Sequence, residues 1–178
     1  MGDAGNSEES LHAERFAAVY RELSPRVLGY LRVHGVDDPE SVTQDVFLAL
    51  YPRLPAVTGG EDGVRTLTFS IAHARIVDFH RAAARRPGLV VLDPETDPRR
   101  VPSAEDVHTA LAEGRSTLAL LERLGDDQRE AVSLRIIAEL SLAEAAEVMG
   151  RSVGAVKQLQ RRGLEALRDL VTKEASHD

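Results

Sequence analysis

The stretch from Leu140 to Leu170, LSLAEAAEVMGRSVGAVKQLQRRGLEALRDL, restricts this chain more than any other. Two short helical patterns meet at Gly150. The first opens on Ser141 with Glu144 three residues later, the reciprocal capping arrangement of a helix start. Leu142, Ala145, Ala146, Val148 and Met149 then cover one face. Gly150 suits the left-handed residue that ends a helix, and Ser152 can cap the next one. In the second pattern Val156, Leu159, Gly163 and Leu167 form a buried stripe at helical spacing. Lys157, Gln158, Arg161 and Arg162 fall on or beside the opposite face. A short helix, a tight turn and a basic, glutamine-bearing second helix are what a helix-turn-helix needs to enter a major groove. An ordinary helical hairpin with a solvated basic face has the same spacing, so the rest of the chain must decide.

Aromatic residues make up only 4% of the 178 and Trp is absent, so Leu, Val and Ala must supply most of the packing. That favours helix over sheet. The absence of Cys excludes disulfides, thiolate metal sites and a catalytic cysteine. The acidic, polar start MGDAGNSEES is no signal peptide. No run approaches the ~18 apolar residues of a membrane span, so a cytoplasmic protein without membrane contact is expected.

The net charge of −7 argues against nucleic acid until its distribution is followed. Residues 101–130 carry seven acids against three arginines. Residues 73–88 hold Arg75, Arg81, Arg85 and Arg86 against Asp78 alone, and residues 152–168 hold four basic groups against Glu165 alone. Two local basic patches on an acidic body can bind phosphates while long-range repulsion weakens contact with random DNA. Such a protein is better delivered to DNA by a partner than left to search alone.

Residues 1–10 read as a disordered leader. A helix is expected from Leu11 to His34, with Pro25 kinking it or following a break at Ser24. Asp38-Pro39-Glu40 opens a second helix, in which Val42, Val46, Ala49 and Leu50 are buried and Gln44, Asp45 and Leu48 exposed, with Phe47 near the boundary. Prolines and glycines make 52–63 a loop, and a third helix runs from about Val64 to Ala84, burying Phe69, Ala72, Ile76 and Phe79. The segment 86–102 has too few apolar residues to fold alone and reads as a flexible linker. Helix resumes near Ser103. The expected fold is all-α: two small helical domains, 11–85 and 103–174, joined by that linker, the second a helix-turn-helix.

By this point the residues carry a likeness. The chain resembles the extracytoplasmic-function (ECF) branch of bacterial sigma factors, the small two-domain initiation subunits of RNA polymerase. Asp38 to Tyr51, DPESVTQDVFLALY, is similar to the helix that family members dock onto core polymerase. Arg65 to Arg81, RTLTFSIAHARIVDFHR, is similar to the segment that melts and reads the −10 element. Leu124 to Leu167 is similar to the domain that reads the −35 element, with Gln128-Arg129-Glu130 and the turn Val153-Gly154-Ala155-Val156-Lys157 at the family's motif positions. SIAHARIVDFHRA and the turn Gly154-Ala155-Val156-Lys157 point to an actinobacterial subgroup. The chain departs from the family where a Trp usually stands (Leu67), where Asn is frequent (Ala74) and where a loop aromatic is common (Thr58). Those groups stack on or hydrogen-bond extruded bases, so their loss bears on how sharply −10 is read.

The resemblance implies promoter recognition and melting, with core RNA polymerase and promoter DNA as partners and no catalysis, cofactor, metal or small-molecule substrate of the chain's own. It implies −35 contacts from Arg135, Arg151, Ser152, Lys157, Gln158, Arg161 and Arg162. Arg and Lys favour guanine edges and Gln favours adenine, while Arg135 and Arg151 suit phosphates. It implies −10 contacts from Arg65, His73, Arg75, His80, Arg81 and Arg85, and a polymerase-binding surface at Gln44, Asp45, Phe47 and Leu48. Whether an anti-sigma factor wraps both domains stays open. Two other classes also stay open: a stand-alone helix-turn-helix regulator, and a hydrolase holding a metal between His73 and His80, whose seven-residue spacing puts them on one helix face.

Overall fold

The structure, a computed structural model, describes residues 3–85 and 118–175. The expected linker 86–102 and the expected helix start near Ser103 lie outside the described residues. Within them the chain is helical throughout, and no strand occurs. No helix among them is long and apolar enough to cross a membrane.

The N-terminal half holds α1 (Asp3–Val33), α2 (Pro39–Leu50), a 3-10 segment (Tyr51–Ala56) and α3 (Gly60–Ala84). Helix α1 starts eight residues before the expected Leu11, taking in most of the expected leader. Once Phe16 and the following apolar residues have nucleated the helix, adding a solvated turn costs little. Pro25 sits inside α1 without ending it. Asp38 caps α2 by accepting the Ser41 N–H at 3.1 Å, and Pro39 occupies the first turn, where its missing N–H is harmless. The expected 52–63 loop is shorter than its prolines suggested. Tyr51–Ala56 winds into the 3-10 segment, and α3 begins at Gly60, with Glu61 and Asp62 placed favourably at its positive end.

In the C-terminal half a helical turn at 118–122 precedes α4 (Asp126–Ile136), α5 (Leu142–Met149) and α6 (Val153–Ala175). The expected capping box is present in both directions. The Glu144 N–H donates to Ser141 Oγ at 3.2 Å, and the Ser141 N–H donates to the Glu144 carboxylate at 2.6 Å. Gly150 closes α5 at φ 61°, where a side chain would be strained. Ser152 then caps α6 through the Ala155 N–H at 3.2 Å. Along α6 Val156 and Gly163 are buried, with Leu159 and Leu167 half-buried. At Gly163 the helices approach so closely that an added Cβ would lie 2.7 Å from Val132 Cγ2.

The two halves are docked on each other. Helix α3 packs on α5, and α1 on α4. One buried apolar cluster runs from Val27, Leu31, Phe69 and Ile76 of the first half to Leu134, Ala145 and Val156 of the second. A smaller one joins Val33 of α1 to Leu121, Leu124 and Val132.

Candidate nucleic-acid interface

On α6 the apolar stripe faces α4 and α5, which leaves Lys157, Gln158, Arg161 and Arg162 exposed together near its N-terminal end, beside exposed Ser152. Two of these groups are held by their neighbours. Arg161 donates to Gln158 Oε1 at 3.2 and 3.3 Å and to Glu165 Oε1 at 2.6 Å. Both ends of that network are solvated, so exchanging it for a base edge costs little. Arg151, in the turn, donates to Asp127 Oδ1 at 2.7 Å. Arg135 is half-buried and donates to the Leu140 carbonyl, bracing the turn before α5. It therefore already holds the motif together from within.

The second expected face, along α3, is divided. Arg75, His80, Arg81 and Arg85 are exposed. Arg65 keeps only 17% of its side chain exposed and pairs with Asp62 at 3.2 Å. His73 turns inward. Its Nδ1 lies 2.8 Å from Glu130 Oε1, a carboxylate on α4 in the other half of the chain. His73 and His80 do not converge on a metal site, and no metal-holding group of His, Asp or Glu occurs among the described residues.

Glu130 is the centre of a buried polar cluster that the sequence reading passed over. Besides His73 it accepts a hydrogen bond of 2.5 Å from the Tyr30 hydroxyl and lies 3.1 Å from His34 Nε2. His34 Nε2 also lies 3.1 Å from Ser133 Oγ. Burial pushes the Tyr30 hydroxyl well up, and the adjacent carboxylate pushes it further. Burial lowers His34 to about 4 against the pull of Glu130, so at neutral pH its ring is uncharged and Nε2–H donates. The Glu130 hydrogen bond raises His73 above the ordinary histidine value, outweighing burial. Burial alone would raise Glu130, but hydrogen bonds from His73 and Tyr30 and electrostatic attraction to the two histidine rings hold it below the ordinary carboxylate range. The signal for this cluster was present in the sequence: an acid immediately before the apolar Ala131, Val132 and Leu134, with which it is buried on α4.

A groove of about 610 Å³ lies between the two halves, with Thr58, Gly59, Thr66 and Leu67 on one wall and Glu144 and Glu147 of α5 on the other. Thr58 and Leu67 are two of the positions where the sequence reading expects a departure from the resembled family. Partial burial raises Glu144, but the hydrogen bonds with Ser141 and the nearby Arg65 charge leave it below the ordinary carboxylate value.

On α2, Gln44, Asp45 and Leu48 are exposed, Leu48 by 71%. Phe47 is a correction: it is 2% exposed, packed edge-on against Tyr20 and Phe16 of α1, and cannot face a partner. The helix period places it beside Val46 and Leu50 on the inner side, which its boundary position in the sequence left open.

Residues 120–169 match the family described as Sigma-70, region 4. Over 174 residues the chain is 30% identical to the ECF RNA polymerase sigma factor ShbA of Streptomyces griseus, covering 95% of this chain and 89% of ShbA. It is 31% identical to the ECF RNA polymerase sigma factor SigK of Mycolicibacterium vanbaalenii, covering 88% of this chain and 81% of SigK. The chain belongs to the ECF RNA polymerase sigma factors. It is also 33% identical to BldN of Streptomyces coelicolor, of whose length it spans 62%. These relatives are actinobacterial, in line with the subgroup that the α3 and turn residues suggested. Among solved structures, the sigma factor RpoE of Bartonella quintana, crystallised with the anti-sigma factor NepR, shares the fold with a TM-score of 0.68 at 19% identity, covering 89% of this chain and 98% of RpoE. CnrH, solved with the cytosolic domain of CnrY, gives 0.61 at 23% identity, covering 90% of each chain.

Proposed function

We propose that this ECF sigma factor binds core RNA polymerase and directs it to promoters, presenting α6 to the −35 element and α3 with its preceding loop to the −10 element. It works where the chromosome is, in the cytoplasm. The observation that carries the reading is the exposed Lys157, Gln158, Arg161 and Arg162 face on a helix capped at Ser152 and anchored by Val156 and Gly163. Sequence is read by such side chains on base edges, while Arg151 and the exposed Arg75, Arg81 and Arg85 suit phosphates. Gln44, Asp45 and Leu48 supply the polymerase-facing surface, an exposed leucine flanked by polar groups as mixed interfaces require. Polymerase supplies the catalysis. An anti-sigma factor, as NepR is for RpoE, is a partner of the same surfaces.

Run-off transcription with purified core polymerase, with and without the chain, tests this reading. Defined transcripts only in the presence of the chain are expected. Tight, sequence-specific DNA binding by the free chain, with no effect on polymerase, would favour a stand-alone regulator instead.

A further inference from the structure

Three elements far apart in sequence converge on one carboxylate. Helix α1 supplies Tyr30 and His34, α3 supplies His73, and α4 supplies Glu130. All the polar contacts of Glu130 to α1 and α3 cross from one half of the chain to the other. A second bridge runs parallel to them: Arg26 of α1 pairs with Glu139 at 2.6 Å. Glu139 is the one non-glycine residue at positive φ among the described residues, 55°, a backbone conformation that side chains seldom adopt without compensation. Docking closes the groove wall by laying Glu144 and Glu147 opposite Thr58 and Leu67. Carboxylates there repel phosphate, and His73 and Arg65 are each half-buried and paired with a carboxylate.

We propose that the Tyr30–His34–His73–Glu130 cluster is a latch that holds the free chain closed, with α5 masking the loop and helix that would take −10 DNA. This rests on the promoter-binding reading for what is masked, but the closure itself stands on the contacts alone. Each latch hydrogen bond is made to a buried charged group, where such bonds are at their strongest. Opening hydrates Glu130 and both histidines together, so the latch releases as a unit.

Closure then depends on pH in a defined way. The titratable and charged groups facing the cluster are Tyr30 and His34 on α1, His73 and His80 on α3, and Arg129 and Glu130 on α4. His34, held near 4 when closed, takes up its proton in the open form, so closure weakens as pH falls from about 6.5 toward 4. His73 is raised when closed, so its contribution is complete below the ordinary histidine value and is lost as pH rises through its raised one. Glu130, lowered when closed, contributes above the ordinary carboxylate value and loses that as pH falls through its lowered one. Closure is strongest between these limits, from slightly acid to neutral pH.

The 178-residue chain has no cysteine, so Glu14→Cys and Asp169→Cys in it take spin labels uniquely, one on each half. Distances between the labels are measured with Tyr30 and Glu130 intact, with Tyr30→Phe and with Glu130→Gln, each at pH 7 and pH 5. One short distance is expected for the parent at pH 7. Both variants, and the parent at pH 5, should add a long, broad component, with the open-to-closed ratio rising about tenfold or more for the variants and by up to tenfold per pH unit below 6.5 for the parent. Tyr30→Phe keeps the edge-to-face ring contact with Phe69, so it separates loss of the latch from loss of fold, and a cooperative melt of each variant checks the latter. A parent already broad at pH 7, or variants with the parent's distances, overturns the latch. Run-off transcription on the same samples keeps the two readings apart: an opening latch without transcription leaves the latch standing and removes the sigma-factor reading.

Discussion

The two basic faces of the molecule are built on opposite terms. On α6 every candidate DNA-facing side chain is exposed, and its partners are solvated neighbours such as Glu165. On α3 the same kinds of residue are divided: Arg75, His80, Arg81 and Arg85 stay open, while His73 is drawn into a carboxylate cluster shared with the other half of the chain. A charge at the surface is cheap to hold and cheap to release. A charge in a buried, fully hydrogen-bonded cluster is costly to break from one side. The candidate α6 face is therefore reached without any change in the arrangement of the halves, and the α3 face is coupled to that arrangement.

The largest effects should come from substitutions that remove this contrast at its base. Val156→Asp places a carboxylate at a fully buried position of α6 and should unfold the helix-turn-helix, a loss of about 3–5 kcal/mol or more. Thermal melting followed by circular dichroism reads it directly. Glu130→Ala should cost somewhat less, about 3 kcal/mol, because Tyr30 and His73 lose a charged acceptor in a buried site while the helix itself keeps its register. If urea unfolding of Glu130→Ala matched the parent, the buried cluster would add nothing and the contrast between the faces would disappear.

Smaller effects sharpen the comparison. Gln158→Ala or Arg161→Ala should leave melting unchanged, cost ~1–3 kcal/mol at the matched promoter and flatten preference at one −35 position. Holoenzyme binding to single-base −35 variants measures this, and unchanged profiles for both would show that α6 does not read bases. Arg151→Ala is the mildest. It should weaken matched and mismatched sites alike and lower the salt slope by about one unit, the behaviour of a phosphate contact. Its tie to Asp127 is a surface pair worth only ~0–1 kcal/mol, so stability should barely move.

Local chemistry made much of the molecule legible in advance. The capping box at Ser141 and Glu144, the left-handed Gly150, the Ser152 cap and the Val156–Gly163 stripe all follow from rules that act within one or two turns. The α2 start at Asp38-Pro39 is of the same kind. Where the reading slipped, a competing local force was underweighted: helix extension outran the polar leader, and acids at Glu61 and Asp62 started α3 before the expected Val64. Phe47 shows the limit at a single residue. It stands at the edge of the Val46–Leu50 stripe, and the rings of Phe16 and Tyr20 arriving from α1 cover it.

Sequence alone determined the helices, their caps and the outward basic face of α6, because each rests on neighbours in the chain. Only the tertiary structure decided that the halves dock, that His73 faces Glu130 rather than solvent, and that α5 lies across the groove beside Thr58 and Leu67. Tyr30 and Glu130 are a hundred residues apart, and no periodicity carries information over that distance. A buried carboxylate becomes stable only when donors from other elements surround it, so its role is fixed by the packing that brings them together.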